Sequence, residues 1–222
     1  MVDYLWQIMA GLSTSLTLTM VSLSLALVFA LLFTLILALK TPLLTSLVKI
    51  YITLFTGTPL LVQIFLIYYG PGQFPSIQQY PWLWHMLSQP WLCAMIALAL
   101  NSAAYTTLLF YGAVQAIPTG QWQSCAVLGM SSAQSMRILF PFAIKRSLSS
   151  YSNEVILVFK STSLVYTITL MDIMGQSQML YGRTYDVMVF VAAGIVYLSI
   201  NTLLTLLMRW LERRALVFEQ AV

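Results

Sequence analysis

The chain has 222 residues, is 60% hydrophobic and only 7% charged, and carries a net charge of +4. Soluble domains carry about a quarter charged residues, so a chain this apolar belongs in lipid. The positive balance does not point to nucleic acid, because the basic residues sit at the ends of apolar runs; no sizeable soluble domain and no Gly-rich phosphate loop fits.

Five apolar runs read as spans. The first extends from about Leu12 to Leu39, longer than the ~20 residues a bilayer requires. No Lys or Arg precedes Lys40, so this run is expected to be a retained span and not a cleaved signal. The second extends from about Leu47 to Tyr69 and contains Thr56-Gly57-Thr58-Pro59. Proline lacks a backbone donor, so this span is expected to bend or break there. A turn-rich segment with four prolines and two glycines, Gly70 to Pro90, comes next. It holds His85 beside Trp82, Trp84 and Trp91, the composition of a membrane interface. The remaining spans are expected at about Leu92 to Ala116, Ser149 to Leu170 and Tyr185 to Met208. Cys93 falls in an apolar run and Cys125 in a polar insert, so no pairing between them is expected.

Eight of the ten Lys and Arg flank the first connection, the third connection or the end of the last span. The positive-inside rule then places the N-terminus outside and the C-terminus in the cytoplasm. It also places the polar insert from Pro118 to Pro141 in the cytoplasm. Within it, Pro118 and Thr119 suit a helix start, and Trp122, Cys125, Ala126 and Gly129 recur on one small apolar face. Gly129 suits a left-handed stop, and Ser135 to Phe140 a helix returning to the membrane. Such a helix either docks on a soluble motor protein or rests on the inner leaflet. It lacks the basic polar face of a lipid-surface helix.

The insert resembles the EAA loop of ABC-importer permeases. Gln123-Ser124-Cys125 stand at the Glu-Ala-Ala positions, Gly129 at the glycine and Leu139-Phe140-Pro141 at the closing end. Phe55 to Gln63, Asn101 to Thr107, Ser152-Asn153-Glu154 and Lys160 to Leu164 resemble signatures of the polar amino-acid (His/Lys/Arg) subfamily. Leu108 and Tyr111 stand where that subfamily often has Glu and Arg.

The resemblance implies an all-α integral membrane protein with five transmembrane helices and a cytoplasmic coupling helix, the type I ABC importer permease fold. It implies one permease domain over 1–222, with its core at about 11–211. It implies residence in a bacterial inner membrane and uptake of arginine or a related basic amino acid by alternating access. The implied partners are a second, homologous permease, two ATP-binding subunits and a periplasmic basic-amino-acid-binding protein. ATP and Mg would be bound by the ATPase, and this chain would bind no cofactor or metal and catalyse nothing. Gln121, Trp122, Gln123, Ser124, Cys125, Gly129 and Met130 would form the ATPase-coupling segment. With Gln123 in place of an acid, docking is expected to rely on shape and on the Trp122 face.

Ionisable groups at mid-membrane cost at least ~2.5 kcal/mol, so each is a functional candidate. Glu154, Lys160 and Asp172 lie in or near the fourth span. Glu154 and Lys160 are six residues apart, a rotation of about 240° that puts them on different faces. A carboxylate suits a guanidinium, because two coplanar oxygens accept its paired donors. Asp172 is therefore either the acceptor for a cationic side chain or a helix cap at the outer rim. In the first case Ser163, Thr162, Asn101 and Tyr105 would hold the amino and carboxyl ends, and Glu154 is a further candidate. Hydrolysis within the membrane is disfavoured by a single loop histidine and by acids eighteen residues apart. A channel or ion-coupled secondary transporter is the alternative transport reading.

Overall fold

A computed structural model describes residues 2–216; Met1 and residues 217–222, the outer limits of the expected domain, lie outside the described residues. Every regular element among the described residues is helical. Helix α1 (Val2–Met9) is short, and α2 (Leu12–Leu39) contains neither Gly nor Pro over 28 residues. It stops at Lys40, whose backbone turns left-handed (φ 55). Pro42 then opens α3 (Pro42–Gly57), where a missing N–H is free of cost. Helix α4 (Leu60–Tyr69) follows after Thr58-Pro59, and the two are bent by 106°. A 3-10 turn (Pro71–Gln73), α5 (Pro75–Gln78) and α6 (Pro81–Leu87) make up the turn-rich segment, each opening on its own proline.

Helix α7 (Pro90–Gln115) leads to α8 (Thr119–Val127) and α9 (Ser132–Arg146). A capping box between Ser131 and Gln134 starts α9, which continues past Pro141 to Arg146. Helix α10 (Leu148–Ser161) tightens into a 3-10 stretch (Thr162–Ile168), and α11 (Ile173–Thr184) resumes after a 49° bend. The last helix is α12 (Met188–Leu216).

Among the described residues three helices, α2, α7 and α12, are long and apolar enough to cross a membrane, and up to five spans result if each bent pair is one. The sequence reading differs at its edges. Helices α1 and α11 have no counterpart in it, because both are short and α11 is polar. The second span starts at Pro42, and the last begins at Met188 and runs on past Met208.

Helix α7 is the central element: 56% of its most apolar window is buried, against 28% for α2 and 22% for α12. Lipid tails are as apolar as Leu, so helices in a membrane associate through close packing of small residues. Helix α2 buries a seam of Ser15, Thr19, Ser22, Ala26, Ala30 and Thr34, spaced by three or four. Helix α7 answers with Ala94, Ala97, Ala103 and Ala104. The Ser22 hydroxyl donates across the seam to the Met95 carbonyl at 3.2 Å. Cys93 and Cys125 are buried, reduced and apart.

Candidate functional site

A break inside a membrane helix leaves backbone polar groups that must find partners within the protein. At Thr58-Pro59 one side chain does most of this. The two N–H groups of the Gln63 amide are shared among the Phe55 carbonyl (2.8 Å), the Thr58 carbonyl (3.0 Å) and the Thr58 hydroxyl (2.8 Å). From α7, Asn101 donates to the Gln63 side-chain oxygen at 3.0 Å and to the Phe55 carbonyl at 3.2 Å. The Tyr105 hydroxyl donates to the Thr56 carbonyl at 3.3 Å. Asn101 and Tyr105 thus fasten the break to the central helix. Gln63 is an important residue that sequence reasoning passed over; its signal is a lone amide within Leu60-Leu61-Val62-Gln63-Ile64-Phe65.

Beside this latch lies a cavity of about 450 Å³, lined among others by Thr56, Asn101, Tyr105, Glu154, Leu157 and Ser161. That volume lies within the ~300–1,000 Å³ of small-molecule sites. Glu154 is its one acidic lining residue. The Glu154 carboxylate accepts from the Ser102 hydroxyl at 2.8 Å, a bond to the charged form that partly offsets its desolvation. No Lys or Arg pairs with it among the described residues. A buried acid without a cationic partner, facing a cavity, is suited to a cationic guest. The rim is amphipathic, with Tyr105 and Leu157 about half exposed.

The expected ligand set divides. Asn101, Tyr105 and Glu154 line the cavity together; Asp172, Thr162 and Ser163 do not. Asp172 is fully buried at the start of α11. One of its oxygens accepts from the Gly175 N–H at 2.8 Å and the other from the Tyr197 hydroxyl at 3.3 Å. Of the two readings open for Asp172, this geometry is that of the helix cap, placed in the packed interior and not at a rim. Gly11 explains the tightness. A Cβ there would lie 2.2 Å from the Asp172 carbonyl carbon, so only glycine lets the α1–α2 corner approach. Ser15 accepts from the Ile173 N–H at 3.3 Å. Thr162 is also buried and donates to the Phe159 carbonyl at 2.8 Å. Asp172, Ser15 and Gly11 hold the second break as Gln63 holds the first.

In the polar insert, α8 starts at Thr119, and Gly129 adopts a left-handed φ of 73. The helix faces the other way from the sequence expectation. Cys125 is buried and Trp122 partly buried, packed with Val114, Ile117, Leu139 and Ala143. Gln121 and Met130 are half-buried, whereas Gln123, Ser124, Ala126, Val127 and Leu128 are exposed. Val127 and Leu128 are 87% and 72% exposed, so the apolar surface offered outward comes from them and not from Trp122. The apolar periodicity grouped Trp122 and Cys125, which pack on α7 and α9, with Ala126 and Gly129, which are exposed.

Outside the spans, the Asp186 carboxylate accepts from the Met188 N–H and the Tyr4 hydroxyl, both at 2.9 Å. The Met188 donation first, and Tyr4 second, holds Asp186 below its ordinary carboxyl value, and the same contact raises Tyr4.

A long apolar bundle with two broken helices and a polar insert between spans is the form of a membrane transport subunit. Residues 30–217 match the family of binding-protein-dependent transport system inner membrane components. The chain belongs to this family and is a permease subunit of an ABC importer. It is 73% identical over 220 residues to the arginine ABC transporter permease protein ArtM of Escherichia coli (strain K12), covering 99% of each chain. It is 55% identical over 219 residues to the protein of the same name from Haemophilus influenzae, covering 98% of this chain and 96% of the relative. Its fold matches the crystal structure of an amino acid ABC transporter with histidines at a TM-score of 0.84 and 28% identity, covering 96% of each.

Proposed function

We propose that this chain is one of two permease subunits that import arginine, or a closely related basic amino acid, from periplasm to cytoplasm. It forms a single domain of five spans, counting each bent pair as one, with the N-terminus periplasmic and the C-terminus cytoplasmic. The single observation that carries the substrate assignment is the 73% identity, over nearly the whole chain, to permeases named for arginine. The cavity is consistent with that cargo, because its one acidic lining side chain is Glu154. Glu154 would accept the guanidinium, and Ser161, Thr56 and the Asn101 amide would meet the amino-acid end. Asp172 serves this reading indirectly, by capping α11 at the second break, and Thr162 and Ser163 lie in the 3-10 stretch that leads to it.

A second permease of similar fold would complete the pathway as a heterodimer, and a periplasmic binding protein would deliver the substrate. Two ATPase subunits, holding ATP and Mg, would dock on α8 and supply all the catalysis. Closure of the ATPases would push α8, and α7 and α9 behind it, because Trp122 and Cys125 are packed into both. The spans would then tilt and open the cavity outward; hydrolysis would reset them. Gln121, Gln123, Ser124, Gly129 and Met130 belong to this coupling segment by position.

The test is uptake of labelled arginine into proteoliposomes containing the whole complex, with ATP on the ATPase side. We expect uptake to require ATP and binding protein, and Glu154→Gln to reduce it at least tenfold while binding-protein-stimulated ATP hydrolysis persists. Uptake driven by an ion gradient without ATP would overturn the importer reading. Full uptake by Glu154→Gln would overturn the site.

A further inference from the structure

We infer that the cytoplasmic end of α2 and the outward face of α9 form a binding groove for one anionic phospholipid of the inner leaflet, with Arg137 meeting its phosphate. The inference rests on the orientation proposed above. The groove encloses about 430 Å³ and is lined by Leu35, Leu39, Ala133, Met136, Arg137, Phe140 and Pro141. Arg137 is the one charged residue in that set; the rest is hydrocarbon.

The occupant follows from length, charge and depth. On α2, Val28, Leu32, Leu35 and Leu39 are exposed at spacings of four, three and four, a continuous stripe on one face. It is ~16 Å long at ~1.5 Å per residue, close to one leaflet's half of a ~30 Å hydrocarbon core. It ends where Arg137 begins. Arg137 is exposed and has no ion pair or hydrogen-bond partner among the described residues. No acidic residue occurs between Asp3 and Glu154, so the stretch carrying Lys40, Lys49, Arg137 and Lys145 contributes no negative charge of its own. Basic groups at the cytoplasmic surface are attracted to anionic lipid. A guanidinium can take two phosphate oxygens at once.

Pro141 forms part of the groove wall. It lies inside α9, cannot donate to the carbonyl four residues earlier, which is that of Arg137, and crowds that carbonyl. Such a position bends the helix away from its axis. The small side chain of Ala133 adds to the open space of the groove beside Leu35 and Leu39 of α2.

The test is native mass spectrometry of the purified complex, exchanged into phosphatidylcholine with a minor fraction of phosphatidylglycerol. We expect wild type to retain phosphatidylglycerol selectively. Arg137→Gln should lower its occupancy about fivefold, the weight of one basic side chain at an anionic surface. Arg137→Lys should restore most of it, and Ala133→Trp, which fills the groove while leaving the charge, should lower it as Arg137→Gln does. Lys145→Gln, away from the groove, should retain the lipid. Equal retention by wild type, Arg137→Gln and Ala133→Trp would overturn the inference. So would a cysteine placed at Leu35 that cross-links to the second permease, since a protein would then cover the stripe. Arginine uptake by the wild-type complex in the same lipids separates this result from a failure of the transport reading.

Discussion

Replacing Gln63 by leucine tests whether the broken second span is held by side-chain hydrogen bonds. The two side chains are similar in size, and Gln63 is 4% exposed, so the change removes polarity without opening a large void. Three hydrogen bonds go: the two that the Gln63 N–H groups share among Phe55 and Thr58 and one accepted from Asn101. Net values of ~0.6–1 kcal/mol per bond give a cost of about 2–3 kcal/mol. Asn101→Leu loses two bonds, and Gln63 still serves the Phe55 carbonyl, so its cost is about 1–2 kcal/mol. The Asn101–Gln63 bond is common to both, so the double variant should fall short of the sum by ~0.6–1 kcal/mol. Thermal melting of the purified complex in one detergent reads the ranking; Gln63→Leu should melt about 5–10 °C below wild type. A Gln63→Leu complex melting with wild type, or above Asn101→Leu, would refute the latch. A strictly additive double variant would show that the two side chains act separately.

Gly129→Asp should leave ATP hydrolysis running while arginine uptake falls at least tenfold, because φ 73 disfavours any side chain by ~1–2 kcal/mol and the change puts charge on the coupling turn; a fully coupled variant would refute the role of the turn. Val127→Asp should impair ATPase attachment more than Gln123→Ala, measured by co-purification, since it puts a charge on an apolar side chain that is 87% exposed. Asp172→Asn retains an acceptor for the Gly175 N–H and should leave uptake within about twofold, whereas Asp172→Ala should cost ~1–2 kcal/mol in stability; loss of uptake by a stably assembled Asp172→Asn would return Asp172 to the substrate site. The Asp186 carboxyl is depressed in the folded state, so its contribution is present above the unfolded carboxyl pKa and is lost as pH falls through the folded value. Protection of the α1 amides, relative to their intrinsic exchange rate at each pH, should therefore fall as pH drops below about 4, and Asp186→Asn should remove that step; an unchanged step would place the titration elsewhere.

Much of this architecture is legible in the sequence because lipid makes hydropathy a direct measure of position. The run from Leu12 to Leu39 coincides with α2, and Thr58-Pro59 marks the sharp break between α3 and α4. The site is legible in its members more than in its assembly. Asn101, Tyr105 and Glu154 are recognisable as polar groups out of place in apolar runs. What they touch depends on helices 46 to 52 residues apart in sequence, and no local pattern encodes that. Asp172 illustrates the ambiguity most clearly. An acid ahead of a glycine after a cluster of hydroxyls has the composition of a ligand site and also of a helix start, and local sequence gives the same signal for both. The decision comes from Gly11, some 160 positions earlier, whose missing side chain lets α2 close over the cap and leaves no room there for a guest. Glu154 lies where α7 presents Ser102 on one side and open space on the other. The difference between a structural acid and a candidate ligand in this chain is therefore set by what packs opposite each carboxylate, and it resides in the pairing of helices and not in either residue's own neighbourhood.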